Sequence, residues 1–189
     1  MKRVAVLVSG GGTNLQALID AGIPISLVIS SKKDAYALTR ARENAIPTQT
    51  VEWAEFKPDR EAFSRKILDL LQSNYIDLVV YAGFMVILSD CVCDAFPNAM
   101  LNVHPSLIPS FCGEGYYGIK VHQAALERGV KLSGATVHFV NNVCDGGPIV
   151  LQKAVEVLEN DTPETLQLRV MEAEREILPL AVKKIINKE

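Results

Sequence analysis

Three segments of this 189-residue chain carry side chains whose types and spacing could do chemistry. The first is Ser9-Gly10-Gly11-Gly12-Thr13-Asn14, set between an apolar run and a helix-like segment. Glycines let backbone approach an anion, and a helix start offers free N–H groups with a favourable dipole, so the segment suits a phosphate. Leu15 stands where a dinucleotide fingerprint needs its third glycine, and no Gly-Lys-Ser/Thr ending makes it a P-loop. The second is Leu101-Asn102-Val103-His104-Pro105, where Asn102 and His104 are two apart and share one face of a strand end. An amide donor beside an imidazole can hold a developing oxyanion and manage a proton. The third is Val143-Cys144-Asp145-Gly146-Gly147-Pro148, whose carboxylate would raise the imidazole's pKa if it lay beside His104. Each also has a plain structural reading: a tight strand-to-helix turn, a satisfied strand-end histidine, and ordinary Asp-Gly turn chemistry. Of the remaining histidines, His122 is expected on a helix surface and His138 inside a strand in a supporting role.

The elements that must position these residues alternate from the start. Val4–Val8, Ile25–Ile29, Ile46–Val51, Leu78–Tyr81 and Ala99–Val103 read as strands, the first as a continuous apolar run buried on both faces. Leu15–Ala21, Ala35–Asn44 and Pro58–Gln72 read as helices. Thr13 to Gln16 fits a capping box, and Gly22 stops the first helix. Leu132–Val140 and Ile149–Val157 have no helix between them and predict an antiparallel pair. A last helix should start at Pro163 with Thr162 as cap, and Pro179 should bend or break it. The expected fold is α/β: a doubly wound, mostly parallel, Rossmann-like sheet with an antiparallel C-terminal strand pair and a terminal helix. We expect one domain over residues 1–189, in which 1–103 form a phosphate-binding half. Residues 104–189 would then carry the catalytic loop, a ligand loop and the terminal helix.

Bulk properties exclude several classes. A net charge of −3 and pI near 5.7 argue against a nucleic-acid partner, which calls for a basic stripe. The run Leu78–Leu88 is shorter than the ~20 residues that span a bilayer, and Val4–Val8 is short for a signal-peptide core, so a cytoplasmic protein without membrane contact is expected. Cys91, Cys93, Cys112 and Cys144 form no C-x-x-C pair and predict free thiols without a metal.

Five segments taken in order resemble the folate-dependent formyltransferases, and within them the branch acting on glycinamide ribonucleotide in purine synthesis. They are Ser9-Gly10-x-Gly12-Thr13-Asn14-Leu15, Ala82-Gly83-Phe84-Met85-x-Ile87-Leu88, Asn102-x-His104-Pro105-Ser106-Leu107-x-Pro109, Gly134-Ala135-Thr136-Val137-His138-Phe139-Val140 and Asp145-Gly146-Gly147-Pro148. The resemblance implies a catalytic trio of Asn102, His104 and Asp145. It implies a 5′-phosphate site at Gly12, Thr13 and Asn14, with Glu174 touching the ribonucleotide. It implies folate contacts from Arg60, Met85, Val86, Ile87, Leu88, Asn141, Asn142, Val143 and Cys144, together with Asn102 and Asp145. The implied co-substrate is 10-formyltetrahydrofolate, without metal, in a monomer or homodimer whose partners are small molecules. Val86 replaces an Arg common in relatives, Phe111-Cys112-Gly113 replaces a common Pro-Gly, and Glu114–Tyr117 lengthen the following loop. Methionyl-tRNA formyltransferase and formyltetrahydrofolate hydrolase activity are the alternatives. The acidic composition, the end at Glu189 and the lack of an N-terminal regulatory segment weigh against them.

Overall fold

A computed structural model describes residues 2–187. Among them seven strands form one sheet in the order β3-β2-β1-β4-β5-β6-β7. These are β1 (Val4–Val8), β2 (Ile25–Ser30), β3 (Thr48–Thr50), β4 (Leu78–Tyr81), β5 (Met100–His104), β6 (Leu132–Phe139) and β7 (Ile149–Glu156). The first five run parallel, whereas β5–β6 and β6–β7 are antiparallel. The helices are α1 (Thr13–Asp20), α2 (Tyr36–Glu43), α3 (Trp53–Phe56), α4 (Arg60–Ser73), α5 (Asp90–Ala95), α6 (Ile119–Arg128) and α7 (Pro163–Ile186).

All five residues of β1 are buried, as a central parallel strand requires. The period-two alternation of side chains divides them between two layers. Val4, Val6 and Val8 pack with Leu15, Leu18, Ala125, Val170 and Leu178 from α1, α6 and α7. Ala5 and Leu7 pack with Phe63, Ile67 and Leu71 of α4 and Val92 of α5 on the other face. The chain turns back in strand order between β1 and β4, so the carboxyl ends of these strands open a crevice.

Several local expectations are corrected. The Thr13–Gln16 capping box is absent: Gly12 is the N-cap residue at φ 73, and no side chain caps the helix. The Gln16 amide bonds Asp20 instead. Pro58 lies before α4, which Asp59 caps by accepting from the Ala62 N–H at 2.8 Å. The third strand shrinks to three residues. Pro179 does not break α7, which runs on to Ile186. Proline removes one N–H from the helix ladder, but buried neighbours Ile177, Leu178, Ala181 and Val182 hold the segment on the sheet. Thr162 does cap α7, in a reciprocal pair with Thr165. Among the described residues no helix is long and apolar enough to cross a membrane.

Candidate active site

Strand register brings the chemistry-bearing residues together. On β5, Asn102 pairs with His138 and His104 with Thr136 of β6. Asn102 Nδ2 lies 3.2 Å from His138 Nε2 and 3.5 Å from Asp145 Oδ1. His138 Nδ1 lies 2.8 Å from the Phe139 carbonyl. A carbonyl only accepts, so Nδ1 donates to it, and Nε2 sits between the Asn102 amide and the Asp145 carboxylate. The sequence expectation of a supporting strand histidine thus gains a specific role: His138 sets the orientation of Asn102.

Asp145 reaches the same point from the turn between β6 and β7, with φ 53. Its Oδ2 accepts the Gly113 N–H at 2.9 Å and lies 3.4 Å from His104 Nδ1. Its Oδ1 is 3.5 Å from His138 Nε2. The turn closes tightly because Gly147 has no side chain: a Cβ there would stand 1.8 Å from the Phe139 carbonyl oxygen. Burial acts to raise the Asp145 carboxyl, but the His138 contact, the charge of His104 and the Gly113 N–H hold it below the usual carboxylate value.

His104 is buried, and its Nε2 lies 2.8 Å from the Phe111 carbonyl, to which it donates. The neighbouring Asp145 carboxylate does act to raise its pKa, as expected, but the net shift is downward. Burial lowers it, and this outweighs the opposing pull of Asp145 and the Phe111 carbonyl. The expectation for His122 is corrected: it is buried in the inner face of α6, not on the surface. Its Nδ1 has no hydrogen-bond partner, and burial with His104 nearby pushes it down to about 4.

The glycine segment lies at the carboxyl end of β1, held from two sides. The Ala37 N–H bonds the Gly10 carbonyl at 3.0 Å. A Cβ on Gly12 would stand 2.6 Å from the Ala37 Cβ, so both the positive φ and the close approach demand glycine. Asn14 Nδ2 donates to Glu174 Oε2 at 2.8 Å, joining this segment to α7. Burial pushes the Glu174 carboxyl up against the opposing effects of Asn14 and Arg175, and Asn14 Oδ1 is buried without a partner. Ser9 Oγ meets Ser31 Oγ at 2.6 Å and accepts the Met85 N–H at 2.9 Å. The ends of β1, β2 and β4 are thereby tied into one rim.

Along that rim Met85 and Ile87 are exposed, Leu88 is buried, and Val86 is partly buried against the α4 side. Asn141, Asn142, Val143 and Cys144 are exposed. Asn141–Val143 line a cleft of about 380 Å³ whose other wall includes Cys93, Asp94 and Asn98. Those three carried no pattern in the sequence. Arg60, in the first turn of α4, is exposed; its N–H donates to the Pro58 carbonyl at 2.9 Å and its carbonyl accepts from Ser64 at 2.8 Å. Cys112 and Cys144 are free thiols pushed up by burial and by Asp145, which disfavours a nucleophilic thiolate. No His, Cys, Asp and Glu cluster among the described residues could hold a metal ion.

The family described as formyl transferase matches residues 2–182. Phosphoribosylglycinamide formyltransferase of Haemophilus influenzae is 44% identical, the match covering 97% of this chain and 86% of that protein. The chloroplastic phosphoribosylglycinamide formyltransferase of Arabidopsis thaliana is 40% identical over 93% of this chain, which spans 62% of that relative's length. The crystal structure of glycinamide ribonucleotide transformylase 1 from Symbiobacterium toebii superposes with a TM-score of 0.89 at 44% identity, covering 96% of this chain and 86% of that one.

Proposed function

The chain belongs to the formyl transferase family, and on that footing we propose that it formylates 5-phosphoribosylglycinamide in purine biosynthesis, with 10-formyltetrahydrofolate as donor. The observation that carries this reading is the meeting of Asn102, His104 and Asp145 at one end of the sheet, beside a glycine segment suited to a phosphate.

In this reading the neutral amine attacks the formyl carbon, and a tetrahedral intermediate with an oxyanion forms. Asn102 and His104 donate to that oxyanion. The intermediate collapses by breaking the bond to the folate nitrogen. The proton lost by the amine passes to that nitrogen through His104, Asp145 and water, giving tetrahydrofolate. Burial disfavours the charged form of His104, and the Asp145 carboxylate beside it supports the imidazolium as the amine releases its proton. Its Nε2–H is engaged by the Phe111 carbonyl, and turnover requires the oxyanion to replace that acceptor. Gly12, Thr13 and Asn14 hold the 5′-phosphate, and Glu174 faces the ribonucleotide. Asn102, Asp145, Arg60, Met85–Leu88 and the Asn141–Cys144 segment contact the folate. Residues 1–103 thus hold the acceptor phosphate, and residues 104–189 supply the trio and the folate loop. No metal and no covalent enzyme intermediate take part, and the compartment is the cytoplasm.

A metal-free assay with 10-formyltetrahydrofolate decides the acceptor. Product with 5-phosphoribosylglycinamide supports the reading. Product only with charged initiator tRNA, or formate release without an acceptor, overturns it.

A further inference from the structure

An open groove of about 790 Å³ runs between α1 and α7 and begins at Thr13, the first residue of α1. Two guanidinium side chains, Arg40 from α2 and Arg175 from α7, line it together with Thr13. Arg40 is held in place: its Nε donates to the Gly11 carbonyl at 2.9 Å, and one terminal nitrogen donates to Gln16 at 3.1 Å. The Tyr36 ring lies 5.0 Å below its central carbon. Arg175 follows Glu174, the residue bonded to Asn14, and its Nε is spent on the Met171 carbonyl at 3.1 Å.

Lys183 adds a third cation to the groove, whose acids are Asp20, Glu172 and Glu176. Asp20 accepts from Gln16, and Glu176 pairs with Lys153. Among the described residues neither Arg40 nor Arg175 lies within ion-pair distance of a carboxylate. Two positive forks without a carboxylate partner therefore flank the start of α1. The backbone there can bind only the inward side of a phosphate, whereas guanidinium groups match the remaining oxygens in geometry and charge.

We propose that Arg175 and Arg40 complete the phosphate site: Arg175 reaches the outward oxygens, and Arg40 acts as a positioning residue that fixes the Gly11 peptide and adds charge. This rests on the acceptor being a phosphorylated ribosyl amine. The site accordingly selects phosphorylated over dephosphorylated acceptors.

The test compares wild type with R175Q and R40K, using the phosphorylated acceptor and its dephosphorylated nucleoside. R175Q should raise KM for the phosphorylated acceptor about tenfold, the size of one charge-assisted hydrogen bond; R40K, which keeps the charge but loses the fork that holds Gly11 and Gln16 together, should raise it by a smaller factor, with kcat and the KM for the folate little changed in both. KM for the nucleoside should not move, which separates a phosphate contact from general loosening of the fold. Calorimetry with inorganic phosphate on the free protein gives a second reading independent of turnover, with binding weakened in both variants. Unchanged KM for the phosphorylated acceptor in both variants, or equal losses on both acceptors, would overturn the proposal. If wild type fails to formylate the phosphorylated acceptor yet loses phosphate binding in R175Q and R40K, the functional reading fails and the anion site stands.

Discussion

Asn102 and His138 face each other across the β5–β6 pair, with Nδ2 of one 3.2 Å from Nε2 of the other. The Asn102 side chain can therefore present its amide donor in only one sense. The Phe139 carbonyl holds the His138 ring from its other side, 2.8 Å from Nδ1.

Substituting His138 with Ala should leave the Asn102 amide free to rotate and Asp145 without one of its neighbours. We expect kcat to fall about tenfold, less than for loss of Asn102 itself, with KM for either substrate little changed. Steady-state kinetics checks this, and a loss confined to KM would refute it.

Gly12→Ala places a Cβ 2.6 Å from the Ala37 Cβ at a residue with φ 73. The left-handed conformation alone costs ~1–2 kcal/mol for a residue with a side chain. Helix α2 must also give way, so thermal unfolding should shift down and KM for the phosphorylated acceptor should rise. An unchanged Tm would contradict the packing described.

Glu174→Ala removes the acceptor of the Asn14 amide, which is buried against α7. Leaving a buried donor unsatisfied costs ~1–3 kcal/mol. Urea denaturation should report that loss, and the acceptor KM should rise. Glu174→Gln keeps a carbonyl oxygen for Asn14 and should recover most of the stability.

Acid should destabilise the fold through His122. Its folded pKa of about 4 lies below its ordinary value of 6.5, so between these limits the unfolded chain binds more protons. Stability then falls as pH drops through that window and levels off below it. His104 is displaced the same way. Urea midpoints between pH 4 and 7.5 should show a slope that His122→Asn flattens, and an identical slope in the variant would dismiss His122 as its source.

Much of this was legible in the sequence for a physical reason: continuous apolar runs make buried parallel strands, and the absence of a helical stretch between Phe139 and Ile149 leaves only an antiparallel return. The catalytic candidates were legible as types and spacing, since Asn102 and His104 two apart on a strand must share a face. What escaped depended on tertiary context. The six-residue α5, Asp-Cys-Val-Cys-Asp-Ala, is too short to show a period. The burial of His122 depends on which side of α6 meets the sheet. The direction of the His104 pKa depends on how far burial outweighs Asp145, and no spacing encodes that balance. Arg40 and Arg175 stand 135 positions apart by their numbering and line one groove only because α2 and α7 both pack beside α1.

The most direct test of the central claim is kcat for formylation of 5-phosphoribosylglycinamide by Asn102→Ala and His104→Ala, each checked for folding. If Asn102 is an oxyanion donor, its loss should lower kcat by ~10²–10³ with folate binding retained, and His104→Ala should fall at least as far. Wild-type turnover in either variant would contradict the account.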